Sequence, residues 1–166
     1  IVPRFHGPDN ITDLSPWKTS LELETELLIA QLKLLAPIAA EHNTHVLLEP
    51  LNRYEAPWFH RLEQATALCD QISEPSICAM GDLFHMSLEE TDPPEAIRKN
   101  GKWLRHIHLA DSTRLQPGTA RIDFSAHFAA LKQIGYKGAM AYECGISGDI
   151  DASMAASVAY LKACRG

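Results

Sequence analysis

One alternation runs through this chain and limits what it can fold into: a short apolar run, an acid or imidazole at its end, a loop, then a helical stretch. The runs are His45 to Glu49, Ile77 to Asp82, His106 to Asp111 and Ala139 to Glu143. They are short and apolar throughout rather than alternating, the pattern of strands covered on both faces, which points to a parallel sheet. Helices are expected from Trp17 to about Glu41, Phe59 to Ile72, Asp92 to Asn100 or Trp103, Phe124 to Ile134, and Ala152 to Ala163. In the first, Leu21, Leu28, Leu32 and Leu35 fall at helical spacing, and Pro37 is expected to kink the helix or break its last turn. Asp92-Pro93-Pro94-Glu95 is a helix start, with an acid as N-cap and proline at the first position. Ile1 to Phe5 reads as a strand end and His6 to Pro16 as a loop. The expected fold class is therefore α/β with parallel (β/α) repeats, in a single domain over residues 1–166.

Charge and cysteine content remove several function classes. The net charge is -6, which argues against the clustered Lys and Arg of a nucleic-acid binder. No apolar run approaches the roughly 18 residues of a membrane span, and no signal-peptide pattern is present. Cys69, Cys78, Cys144 and Cys164 form no C-x-x-C pair and read as reduced core thiols of a cytoplasmic protein. The expected partner is a small molecule, with no nucleic acid and no membrane.

In parallel α/β folds the chemistry sits at the C-terminal ends of the strands. In this chain those ends carry Glu49, Asp82, His108 and Glu143. Each has an ordinary explanation alone: strand-end charge for the two glutamates, a turn cap for Asp82, a core histidine for His108. Four such residues at equivalent places favour a metal site. Three crowded carboxylates repel one another unless a cation neutralises them. Oxygen ligands with one imidazole suit Mn, Mg or Co better than thiolate-preferring Zn, although Zn remains an option. Glu55, His85 and Arg114 follow these ends by three to six residues. From loops over the mouth, they would suit the hydroxyls and carbonyl of a sugar.

At Leu48-Glu49-Pro50-Leu51-Asn52-Arg53-Tyr54-Glu55, Gly81-Asp82-Leu83-Phe84-His85-Met86, His106 to Arg114 with Pro117-Gly118, and Tyr142-Glu143, the sequence resembles the xylose isomerase-like TIM barrels. Within this sugar isomerase/epimerase superfamily it looks most like the D-tagatose 3-epimerase and related ketose 3-epimerase branch. The resemblance runs from about residue 20 to the end. It implies a divalent metal held by Glu49, Asp82, His108 and Glu143. It implies Glu49 and Glu143 as the catalytic acid/base pair, and Glu55, His85 and Arg114 as substrate contacts. The implied activity is a metal-dependent ketose epimerase or isomerase acting on a sugar or sugar phosphate, moving a proton through a metal-bound cis-enediolate. A hydroxypyruvate-type aldose–ketose isomerase and a keto-inositol dehydratase use the same framework. A nuclease of the superfamily needs further His and Asp ligands and a basic groove, and neither is visible. One departure is Ala120, where the family often has glycine, which bears on the conformation of its loop. The other is length, since a complete barrel takes about 250 residues. The match places the strands as the fifth to eighth, with Ile1 to Phe5 as the tail of the fourth. The expected object is thus the C-terminal half of a TIM barrel (strands 4/5 to 8): a truncated barrel, a chain that pairs with a second copy or a separate N-terminal half-barrel, or an inert half-barrel fragment.

Overall fold

A computed structural model describes residues 1–7 and 11–166. Pro8, Asp9 and Asn10, part of the expected loop, lie outside the described residues. The elements run α1 (Ser20–Glu41), β1 (Val46–Leu48), α2 (Leu62–Ile72), β2 (Ile77–Asp82), α3 (Leu83–Glu89), α4 (Pro93–Asn100), β3 (Leu104–Leu109), α5 (Phe124–Gln133), β4 (Ala139–Tyr142) and α6 (Ile150–Arg165). The four strands form one sheet in the order β1-β2-β3-β4, and every neighbouring pair is parallel. This is the (β/α) half-barrel arrangement expected, with strands in chain order and helices returning the chain between them.

Local chemistry decides where the helices start. Thr19 and Glu22 form a reciprocal capping box, so α1 begins at Ser20 and not at Trp17. Asp92 accepts the Glu95 N–H at 2.9 Å, with Pro93 at the first helical position, as expected. Asp123 and Asp149 cap α5 and α6 through the Ala126 and Ala152 N–H groups. α1 continues one turn past Pro37. Pro37 and Lys33, whose carbonyl loses its partner there, are both exposed, so water can take the free oxygen.

Burial corrects the reading in two places. The inward stripe of α1 is Leu28, Leu32, Ala36 and Ala39, while Leu21 and Leu35 are exposed. Of the strands, β2 alone is buried along its whole length. In β3 the half-buried His106 and His108 alternate with the buried Ile107 and Leu109, and β4 is largely open. One sheet face therefore packs on the helices, and the other carries the imidazoles. Ile1 to Phe5 form no strand. Ile1 alone lies along β1: its amino group donates to the Leu47 carbonyl at 2.6 Å, and its carbonyl accepts the Glu49 N–H at 3.0 Å. The core joins Leu28 and Leu32 of α1, the inner faces of α2 and α5, and Ile77, Ala79, Leu104 and Ile107 of the sheet. Among the described residues, no helix is long and apolar enough to cross a membrane.

Candidate active site

Parallel pairing in register places the ends of neighbouring strands side by side. Asp82 and His108 are direct partners across β2 and β3. Glu49 follows β1, and Glu143 follows β4 with its N–H on the Leu109 carbonyl at 3.3 Å. One ligand atom from each of Glu49, Asp82, His108 and Glu143 lies within 4.8 Å of the others. His108 Nδ1 is the centre of the group. It stands 3.3 Å from Glu49 Oε1, 3.5 Å from Asp82 Oδ2 and 3.0 Å from Glu143 Oε2. None of these approaches has hydrogen-bond alignment, so this buried nitrogen has no hydrogen-bond partner among the described residues. A buried ring nitrogen without a hydrogen-bond partner and three carboxylate oxygens converging on one point fit a divalent cation once the ring gives up its proton.

The charges are strongly coupled. Closeness to the Asp82 carboxylate, and then to that of Glu49, raises the His108 pKa to about 10. Burial pushes Asp82 up, but His108 and then Arg114 outweigh it and hold its carboxyl below the usual range. Asp82 also divides its oxygens between two jobs. Oδ1 accepts the Phe84 and His85 N–H groups and caps α3, leaving Oδ2 for the cluster. The turn cap and the candidate ligand are one residue.

In the second set, His85 departs from the expected loop, while Glu55 and Arg114 come from a turn and a loop. His85 is on α3 and only 1% exposed. Because Asp82 caps immediately, helix replaces the expected loop and carries His85 inward. Burial lowers its pKa, so the ring is neutral at pH 7. Glu55 is exposed in the turn after β1, 3.9 Å from His85 Nδ1. Arg114 does come from a loop, with a left-handed φ of 60°. It reaches into the cluster: Nη1 donates to Asp82 Oδ2 at 2.6 Å and Nη2 to Glu143 Oε2, with the guanidinium over the Phe84 ring. His106 packs edge-on against His108 at 5.0 Å between ring centroids.

Asp111 and Asn52 of the quoted motifs, and Glu89 just beyond one of them, drew no role from the sequence. Asp111 is buried and accepts five backbone N–H groups, from Ser112, Gly118, Thr119, Ala120 and Ile122. It shapes the loop that presents Arg114. The Ala120 N–H joins this set at 2.9 Å, so the loop forms with alanine in place of the family's glycine. Glu89 grips Arg53 through Nε, Nη2 and the backbone N–H, tying the turn after β1 to α3. Asn52 bridges Glu55 and His85. An acid or amide beside a turn was the available signal; their partners lie elsewhere in the chain.

Comparison with known proteins identifies the fold and the family. A family described as "xylose isomerase-like TIM barrel" matches residues 4–164. The 3-dehydro-D-guloside 4-epimerase of Escherichia coli K12 is 34% identical over 146 residues, 87% of this chain and 56% of that protein. The L-ribulose 3-epimerase of Methylomonas sp. DH-1 is 32% identical over 123 residues, 74% of this chain and 43% of that protein. The crystal structure of apo 3-keto-D-glucoside 4-epimerase from E. coli superposes with a TM-score of 0.84 at 33% identity, covering 93% of this chain and 60% of that one. The chain spans about half the length of the curated relatives it matches.

Proposed function

We propose, given that this chain belongs to the xylose isomerase-like TIM-barrel family, that it carries the catalytic centre of a divalent-metal-dependent sugar epimerase acting on a ketose. The observation that carries this reading is His108 Nδ1, buried and unpartnered among three carboxylates from the ends of successive parallel strands. Glu49, Asp82, His108 and Glu143 would hold the ion. Bound there, a divalent cation supplies Lewis-acid polarisation of a substrate carbonyl.

The chain's own groups do the rest. Glu49 and Glu143 follow the first and last strands of the sheet, so they would approach a sugar between them from opposite sides. One carboxylate takes the proton from the carbon beside the carbonyl. The other returns a proton to the opposite face, and the centre is inverted. His85, neutral, donates to a substrate oxygen, and Glu55 accepts from a hydroxyl. Arg114 offers its guanidinium to the carbonyl end. In this reading residues 1–166 are one domain of a cytoplasmic enzyme whose free cysteines stay reduced. The outer sides of β1 and β4 then pair with an N-terminal half-barrel or a second copy, closing the pocket.

The test combines metal analysis of the purified protein with turnover of several ketoses in D2O. Deuterium should enter the inverted carbon in wild type. Glu49→Gln and Glu143→Gln should each abolish turnover while sugar binding survives. Wild-type rates in either variant overturn the assignment, and product analysis separates epimerase from aldose–ketose isomerase.

A further inference from the structure

Two of the candidate substrate contacts meet on Asn52, a side chain only 1% exposed. Its Oδ1 accepts the Tyr54 N–H at 2.9 Å, which identifies that atom as the oxygen, because a backbone N–H only donates. The other amide atom is the nitrogen. It lies 2.8 Å from His85 Nδ1 and 2.9 Å from Glu55 Oε1. The backbone N–H of Asn52 also donates to His85 Nδ1, at 3.2 Å. Two donors converge on one ring nitrogen. A hydrogen on Nδ1 would face both of them, so Nδ1 presents its lone pair and the hydrogen sits on Nε2. The tautomer of a histidine follows from the hydrogen bonds of its other nitrogen.

We infer that Asn52 is a positioning residue that locks His85 as an Nε2–H donor and holds Glu55 beside it as an acceptor. The inference builds on the sugar-epimerase reading and narrows it. His85 serves an oxygen that offers a lone pair, and Glu55 serves a free hydroxyl. The pair therefore selects a substrate with an accepting oxygen at one position and an unblocked hydroxyl at the other. Asn52 makes this selection without touching the sugar.

The experiment is 15N NMR of the histidine rings in the intact protein with Mg2+, which is diamagnetic, with His85 assigned through His85→Gln. In wild type, His85 should show an acceptor-type Nδ1 and a protonated Nε2. Asn52→Asp places a carboxylate oxygen against Nδ1 and should move the hydrogen there. It should also lower kcat/KM for the ketose by about 10–100-fold, the scale seen for groups that orient active-site side chains. Asn52→Ala keeps the backbone donor, so it should preserve the His85 signature while Glu55 loses its partner. A wild-type His85 protonated on Nδ1 overturns the inference, even where no variant folds. An Asn52→Asp protein with unchanged tautomer and unchanged kcat/KM overturns it too. The expected tautomers in a protein that turns over no ketose would sink the epimerase reading and leave the positioning role standing.

Discussion

Replacing Asp111 by asparagine is the sharpest test of how the Arg114 loop is held. The aspartate divides five backbone donors between its oxygens: Oδ1 takes Ser112 and Ile122, and Oδ2 takes Gly118, Thr119 and Ala120. An asparagine has one oxygen and an NH2 group that only donates. Its better orientation keeps the oxygen on the trio and turns the NH2 towards Ser112 and Ile122. Two charge-assisted bonds are lost, each about 1.5–3 kcal/mol, so the upper bound is about 3–6 kcal/mol. The loss falls mainly on the loop, because the freed Ser112 and Ile122 N–H groups are its two anchors and the stretch 119–121 between them is exposed and can move away into water. Local opening then precedes global unfolding. Hydrogen exchange should show the amides of residues 112–122 losing protection by two or more decades while those of β2 hold. Denaturant melts should show a smaller global loss. Acid should mimic the substitution. Burial pushes the Asp111 pKa up, but the Ile122, Ala120, Ser112 and Gly118 N–H groups outweigh it and the net shift is down. A depressed carboxyl stabilises above its unfolded pKa and loses that contribution as pH falls through the folded one, so the loop should open below pH 3.8. Unchanged protection in the asparagine variant would refute the reasoning.

Four further outcomes follow from the same structure. His108 has a folded pKa near 10, above its ordinary 6.5, so in the metal-free protein its stabilisation is complete below pH 6.5 and is lost as pH rises through about 10; a thermal midpoint flat across that window contradicts the coupling. The same imidazole must shed its proton to ligate, so metal uptake at pH 7 should release protons, read by calorimetry in buffers of different ionisation enthalpy; an uptake enthalpy independent of buffer refutes this. Leu32, fully buried where α1 meets the core, should cost about 2–5 kcal/mol as alanine in denaturant melts, whereas exposed Leu34 should cost less than about 0.5 kcal/mol. A methyl at Gly138 would overlap the Arg105 carbonyl and the Tyr136 ring, so Gly138→Ala should displace the start of β4 and cost about 1–3 kcal/mol, and a melt identical to wild type would exclude that overlap.

Much of this protein was readable from residue order because the determining physics is local. The uniform apolarity of Ile77 to Asp82 predicts a strand buried on both faces, and β2 is one. Asp92-Pro93-Pro94-Glu95 specifies its own cap. Register between parallel strands then delivers Glu49, Asp82, His108 and Glu143 to one end of the sheet, since each lies at or within one residue of the end of its own strand. Other features depended on partners distant in the chain. The stripe of α1 that faces inward was set by packing, so Leu35 is exposed while Ala36 is buried. Asp82 started α3 at once, and that helix drew His85 inward to meet Asn52, 33 residues earlier. Arg114 closed on the Asp82 and Glu143 carboxylates because their charge and the Asp111-bound loop brought it there. A strand end announces its carboxylate through local pattern; which nitrogen of His85 carries a hydrogen, and which donors an aspartate collects, are decided only when distant backbone groups arrive, because a buried polar atom takes its state from whatever surrounds it.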